Sequence, residues 1–280
     1  MIHNQQKKIA VINDFCGFGR CSLTVSIPII SALKVQCCPV PTSVFSNHTA
    51  YDSFFYTDYT DHMEDYIEEW KKLGLTFDGI LTGFLGSPEQ TKIVRCFLEY
   101  FKKENTVTVV DPVMGDEGKL YSTYSPELAK QMKALLPFAD ILTPNLTEAC
   151  ILTDTPYRAD MEPHELFTVC EKLSKMGPKK IVISGLEKKD WLINFVYEEG
   201  NEPVKVCGPK IGPSRAGTGD VFSSIIAADA VNGVSFLASV RHAAVFIAKV
   251  LTRAVELEIP TTDGVCFEEF LTEINEGAED

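Results

Sequence analysis

The segment Ser214-Arg215-Ala216-Gly217-Thr218-Gly219-Asp220 brings the most chemistry into the shortest stretch of the chain. Two glycines around a threonine let the backbone approach a ligand closely and turn several N–H groups the same way. The small apolar run behind them, Val221 to Ala228, reads as a helix. The N–H groups of Gly217, Thr218 and Gly219 then lie at a helix N-terminus, where the dipole favours negative charge. That arrangement is an anion hole. Asp220 in the same place would repel a resting phosphate, and makes sense as a base that takes a proton from an attacking hydroxyl. The helix dipole is expected to keep it ionised. On the motif alone, a glycine-rich turn with Asp220 as a helix cap is the plain alternative.

Other polar constellations follow apolar strands. Asp111-Pro112-Val113-Met114-Gly115-Asp116 puts two carboxylates in one loop, and Asn145-Leu146-Thr147-Glu148 puts an amide and a carboxylate one helical turn apart. Hard oxygens of this kind suit Mg²⁺, which needs one or two carboxylates plus substrate phosphates. The plain alternatives are a turn for the first and a helix cap with its glutamate for the second. Ser43-Val44-Phe45-Ser46-Asn47-His48-Thr49 offers hydroxyl, amide and imidazole groups that could read a polar heterocycle. Gly17-Phe18-Gly19-Arg20-Cys21-Ser22 nearly matches a dinucleotide fingerprint. Its third position is serine, and no acidic residue follows about twenty positions on. A Walker A sequence is absent, which removes the P-loop ATPases.

These residues need a scaffold. Strands are expected at Lys7–Asn13, Val35–Val44, Phe77–Thr82, Val107–Val110, Ile141–Thr143 and Ile181–Ser184. Asp14 to Arg20 reads as a loop. Leu192–Tyr197 and Val204–Cys207 read as an antiparallel pair. Helices are expected at Ser22–Leu33 with Pro28 inside, Asp61–Leu73, from Ser87-Pro88-Glu89-Gln90 as a capping box, from Ser125-Pro126 to about Leu136, after Asn145, at Glu162–Met176, Val221–Val231 and Ser235–Glu256. The acidic tail from Glu276 to Asp280 is expected to fray. Alternating strands and helices give a parallel sheet with helices on both faces, and ligands bind beyond the carboxyl ends of its strands. Asp14, Gly83-Phe84, Asp111, Asn145 and Ser184 all follow strands, and their convergence is stronger evidence than any single motif.

The 280 residues suit one α/β domain, read here as spanning the whole chain, and 45% hydrophobic residues supply a sizeable core. No apolar run approaches the ~20 residues that cross a bilayer. No secretory leader pattern follows Met1 to Lys8, so a cytoplasmic protein is expected. Nine cysteines without zinc or C-x-x-C spacing read as mostly buried free thiols. A net charge of −13 argues against nucleic acid and anionic membranes as partners, but not against a small phosphate ligand.

Five strings occur in order: Ser46-Asn47-His48-Thr49, Leu81-Thr82-Gly83-Phe84, Asp111 to Asp116, Thr143 to Glu148, and Gly217 to Asp220. Together they resemble the pyridoxal kinases of the ribokinase superfamily, over about residues 7 to 255. The resemblance implies a ribokinase-like three-layer α/β sandwich with a mostly parallel central sheet. It implies ATP-dependent phosphorylation of the hydroxymethyl group of a B6 vitamer, usually by a homodimer. By matching position Asp220 is the base and Gly217 to Gly219 the anion hole. Asp111, Thr143, Asn145, Glu148 and Ser184 serve ATP; Asp111 and Glu148 serve Mg²⁺, with a monovalent cation such as K⁺ nearby. Asp14, Asn47, His48, Thr49 and Phe84 join Asp220 around the vitamer. Two positions depart from the pattern. Asn13-Asp14-Phe15 stands where many members have Gln-Ser-His, and Phe84 where many have tyrosine. The Asn13 to Gly19 loop looks more like the related hydroxymethylpyrimidine kinases. A non-catalytic vitamin-binding protein on this fold is a third reading, disfavoured by the intact Asp220. An NAD oxidoreductase is a distant fourth.

Overall fold

The computed structural model describes residues 3–121 and 123–277. The end of the acidic tail, from 278 on, lies outside the described residues. The chain opens with β1 (Lys8–Phe18), α1 (Leu23–Ala32), β2 (Gln36–Asn47), β3 (Tyr56–Asp58), α2 (Thr60–Lys72) and β4 (Gly79–Thr82). It continues through α3 (Pro88–Phe101), β5 (Val107–Val110), a small ribbon of β6 (Gly115–Asp116) and β7 (Lys119–Leu120), α4 (Pro126–Met132) and β8 (Ile141–Leu142). The last part holds α5 (Leu146–Leu152), α6 (Pro163–Ser174), β9 (Lys180–Lys188), β10 (Trp191–Glu198), β11 (Val204–Pro209), α7 (Thr218–Asn232) and α8 (Phe236–Glu256).

Nine strands form one sheet in the order β11-β10-β9-β8-β5-β4-β1-β2-β3. The run from β9 to β2 is parallel, while β10, β11 and β3 add antiparallel edges. Successive β1 residues alternate between the two faces. Ala10 and Ile12 pack with α2 to α6 residues such as Met63, Phe97, Leu128, Ala149 and Leu166. Ile9 and Val11 pack with α1, α7 and α8 residues such as Ile29, Ile226 and Val240. Burial on both faces explains why β1 reads as a continuous apolar run rather than an alternating one. The result is the expected three-layer α/β sandwich.

Several local expectations change. β1 runs on to Phe18, so Asp14 lies within the strand and not in a loop. Its pairing with β2 continues past this point after a register shift between Asn13 and Phe15. β2 passes through Pro39 and Pro41 and ends at Asn47. Ser87 caps α3 by accepting from the Gln90 N–H at 3.2 Å, with Pro88 in the first turn. The Gln90 side chain, however, accepts from Gly86 N at 2.7 Å and donates to the Thr42 carbonyl at 2.8 Å, so the expected capping box is only half made. α4 stops at Met132 and tightens into a 3₁₀ turn through Phe138, where Pro137 forbids a longer α-helix. β3, β6 and β7 are too short and polar to stand out in the sequence. All nine cysteines are free, and five are buried. Among the described residues no helix is long and apolar enough to cross a membrane.

Candidate functional site

The parallel strands deliver their polar residues to one edge of the sheet. Asn13 and Asp14 lie in the second half of β1, Gly83 and Phe84 follow β4, Asp111 follows β5, Thr143 and Asn145 follow β8, and Ser184 lies in β9. α7 packs across β4 and β5, and its first turn brings Asp220 to the same edge. Gly217 caps α7 with φ 80°, in the left-handed region. A Cβ there would lie 2.0 Å from the Arg20 carbonyl oxygen, so only glycine fits. Gly219 differs: nothing lies within 4 Å of where its Cβ would be. Open space stands over the helix start.

Asp220 Oδ1 accepts from Asn13 Nδ2 at 3.1 Å, and the Ser22 backbone N–H faces the same carboxylate. Asp220 is half-buried as a residue, and protein surrounds its carboxylate closely. Burial raises its pKa above the ordinary carboxylate range, while Ser22, Asn13 and His48 pull it back. The helix dipole is expected to favour the ionised form; desolvation acts against it. Asp14 is more extreme. It is buried, and burial raises its pKa to about 7, against a hydrogen bond from the Ser22 hydroxyl and with added repulsion from Asp220.

A second pair lies further along the edge. Asp111 is driven up by burial first, then by Glu148 and Asp220. Glu148 is pushed to about 8 by burial, while backbone N–H groups lower it. Those groups are specific. Met114 N donates to Oε1 at 3.0 Å and Asn145 N to Oε2 at 2.8 Å. The Asn145 side chain accepts from Glu148 N at 3.0 Å, which completes a capping box on α5. The plain reading of this pair is therefore realised. Asn145 Nδ2 also holds the Gly115 carbonyl at 2.7 Å, tying the β6–β7 ribbon to α5. Ser184 N donates to the Pro144 carbonyl at 2.9 Å, bringing β9 beside Asn145. The buried hydroxyls of Thr82 and Thr143 have no protein partner. Such orphans at strand ends call for a polar ligand or ion. Thr218 Oγ1 turns back to the Arg215 carbonyl at 3.1 Å, leaving the backbone as its contribution to the helix start.

In the string that ends β2, Asn47 and His48 have protein partners. Asn47 braces its own loop, donating to the Ser53 carbonyl at 2.8 Å and accepting from Ser46 Oγ at 2.7 Å. Thr49 is exposed. His48 Nε2 meets the Thr262 carbonyl at 2.6 Å, and Tyr51 donates to Thr262 O and Asp263 Oδ1. This loop is thus joined to the segment after α8. Arg20 joins it from the other side, donating to Asp263 O at 3.1 Å and pairing with Glu268. Phe84 is half-buried and meets Phe45 and Tyr124 edge-on, forming an apolar wall beside Cys16 and Cys21.

Sequence reasoning missed three contributors: Asn13, Ser22 and the Thr262 segment. Asn13 stood at the end of the first apolar run beside Asp14, in the string that departs from the family pattern. Ser22 was legible as the start of a helix. Nothing local marked Thr262.

A model of the family described as phosphomethylpyrimidine kinase matches residues 27–263. A provisionally named phosphomethylpyrimidine kinase from Bacteroides thetaiotaomicron is 40% identical, with a TM-score of 0.95 over 98% of this chain and 96% of that one. An orthorhombic form under the same description, with pyridoxal, is 39% identical at a TM-score of 0.94, over 97% and 96% of the two chains. Pyridoxal kinase from Lactobacillus plantarum shares the fold at a TM-score of 0.89 and 24% identity, over 97% of both chains. Pyridoxal kinase from Arabidopsis thaliana is 32% identical over 201 residues, covering 67% of this chain and 62% of its own. Across several curated relatives the chain spans between 47% and 64% of their length.

Proposed function

The chain belongs to the phosphomethylpyrimidine kinase family, with a ribokinase-like fold, and from that premise we propose that it phosphorylates the hydroxymethyl oxygen of a B6 vitamer at the expense of ATP. The observation that carries this reading is Asp220, held in the first turn of α7 by Asn13, beside the open space over Gly219. Transfer needs the alcohol in line with the γ-phosphorus and its proton removed as the bond forms. Asp220 takes that proton, and its raised pKa brings it nearer to working pH than an ordinary aspartate. The N–H groups of Gly217, Thr218 and Gly219 face the transferring phosphoryl group. Thr143, Asn145 and Ser184 border the ATP phosphates. Phe84 lies along the ring of the vitamer, with Asn47, His48 and Thr49 shaping the loop that covers it. The pyridoxal in the Bacteroides form supports the ligand class.

The residues fit a divalent cation. Asp111 and Glu148 are buried carboxylates beyond the adjacent strands β5 and β8, and the Thr143 hydroxyl has no partner. Among the described residues no three metal-binding side chains gather; Mg²⁺ needs only one or two carboxylates, with water and phosphate completing its shell. Bound there, Mg²⁺ would neutralise charge on the phosphates. The monovalent cation rests on the family resemblance alone.

Asp14 supports a protonated or amine-bearing vitamer. It is a buried carboxyl whose surroundings are the Ser22 hydroxyl and the like-charged Asp220, so a ligand cation would relieve it. Hydroxymethylpyrimidine is the second reading, favoured by the family description. The whole chain is read as one kinase domain, cytoplasmic and homodimeric. Exposed Val44, Phe54, Phe55 and Tyr56 on and beside the edge strand β3 support a second copy there.

The test is a coupled ATPase assay with pyridoxal, pyridoxamine, pyridoxine and hydroxymethylpyrimidine, on wild type and Asp220→Asn. The variant should lose ~10²–10⁴-fold in kcat with ATP and vitamer binding retained. Near-normal turnover by Asp220→Asn would remove the base.

A further inference from the structure

We infer that Asn13 and Ser22 are positioning residues that join the base Asp220 to Asp14, so that the proton acceptor and the ring-facing carboxyl are aimed as one unit. This rests on the reading of Asp220 as base. Three independent features carry it.

The first is the fixed orientation of the Asn13 amide. Its Oδ1 accepts from Asp14 N at 3.0 Å and from Phe84 N at 2.8 Å. Two backbone donors on one oxygen decide which end is oxygen, so Nδ2 must face Asp220 Oδ1. Gly83 seals the arrangement, since a Cβ there would lie 2.6 Å from the Asn13 amide. Asn13 is buried and has no freedom to turn away.

The second is the conformation of Ser22. It precedes α1 as N-cap with φ 60° and ψ −137°, a region that side chains rarely adopt. A serine in this place ordinarily caps its helix with its hydroxyl. Ser22 makes no side-chain cap. Its side chain lies close enough to Asp14, and its backbone N–H to Asp220, to lower the pKa of each. A residue that is strained and forgoes its cap has been shaped by something other than helix stability.

The third is the wedge that holds the strained segment. Arg20 also has a positive φ, of 45°. Its carbonyl packs against Gly217 at the start of α7, and a Cβ at Gly264 would lie 2.7 to 3.0 Å from Gly19 and Arg20. The loop carrying Ser22 therefore cannot relax without moving the first turn of α7, and Asp220 with it.

The two residues divide the work. Asn13 and the Ser22 N–H stabilise the ionised form of Asp220. The Ser22 hydroxyl does the same for Asp14. Other groups facing Asp220 are Asp14 and Cys16 from β1, Cys21 beside Ser22, His48 after β2, Asp111 after β5, and Tyr121. A variant that keeps these in place isolates the positioning effect.

Ser22→Ala retains the N–H and deletes the hydroxyl. Vitamer KM, and Kd by calorimetry, should rise about tenfold, the usual worth of a hydrogen bond to a charged group. The acid limb of kcat should stay in place. A purely structural hydroxyl predicts the opposite, a lower Tm with unchanged vitamer affinity, and that result would overturn the role of Ser22. Asn13→Leu removes the donor to Asp220 and should move its titration up by about one pH unit. Asn13→Asp keeps an acceptor for both backbone N–H groups if the leucine variant fails to fold, and should move the titration in the same direction. The titration is read by carboxyl ¹³C NMR on the ligand-free protein, with Asp220→Asn assigning the resonance, and as the acid limb of kcat. An Asp220 titration unmoved in a folded Asn13 variant would overturn the role of Asn13. The NMR reading needs no turnover, so it judges the inference even if the substrate panel gives no phosphorylation and the proposed function falls.

Discussion

Asp14→Asn should make the protein more stable in alkali while impairing it as an enzyme. Burial moves the Asp14 carboxyl from 3.8 to about 7, so the folded state binds a proton that the unfolded state releases. The sign follows from linkage. Between those values the folded state holds more protons, and stability falls as pH rises through the window. The shift is about 3 units, and each unit corresponds to about 1.4 kcal/mol. The deficit therefore reaches about 4 kcal/mol at pH 8 and is about 2 kcal/mol at pH 5 as upper figures, since water entering the site would relieve part of it. Asparagine has the same shape, never ionises, and can still accept from Ser22 through Oδ1. Its removal of charge also relieves Asp220, which repels Asp14. Urea unfolding of wild type and variant at both pH values measures the difference directly. The gain from Asp14→Asn should be larger at pH 8 than at pH 5 by about 1–3 kcal/mol, while the vitamer ranking of the variant changes. Equal gains at the two pH values, or a loss at pH 8, would refute the claim that Asp14 is held against its preferred charge.

The two glycines at the start of α7 should separate folding from binding. Gly217→Ala puts a Cβ 2.0 Å from the Arg20 carbonyl at a φ of 80°, and should lower stability by at least about 1–2 kcal/mol in urea unfolding. Gly219→Ala meets nothing within 4 Å, so its Tm should hold while the KM for ATP rises, because the methyl occupies the space over the helix start. Glu148→Gln keeps one acceptor but turns an NH₂ toward the other backbone N–H, Met114 or Asn145. It should lose about 1–3 kcal/mol of stability and need more Mg²⁺ for half-maximal activity, with vitamer affinity nearly unchanged; equal loss of both affinities in a folded variant would count against its place beside the metal.

Much of the architecture was legible because it is written in local patterns. The apolar run Ile9 to Ile12 and the strands at Val107 to Val110 and Ile181 to Ser184 announced a parallel sheet, and the structure pairs them as one. Asn145 with Glu148 announced a helix start, as did Ser87 with Pro88. The glycines of Gly217-Thr218-Gly219 and the acid behind them were visible as a close-approach turn entering a helix, which α7 is. The short β3 and the β6–β7 ribbon were not visible, since two or three polar residues carry no period.

By itself, the sequence determined which residues could meet at the sheet edge, because each lies in or just after a strand, or at the start of a helix. Only the tertiary structure decided their partners and their charge. Asn13 and Asp220 are 207 positions apart, and His48 and Thr262 are 214 apart, so no window of sequence contains either contact. Asn47 and His48 illustrate the consequence: both looked free to face a ligand, and both are engaged by backbone carbonyls, one in its own loop and one beyond α8. Charge follows the same rule. A helix dipole is local and favours an ionised Asp220, but burial is a property of everything packed around the carboxylate. That burial raises Asp220, Asp14, Asp111 and Glu148 together. Desolvation depends on the whole surrounding volume, which exists only once distant segments have closed over the site.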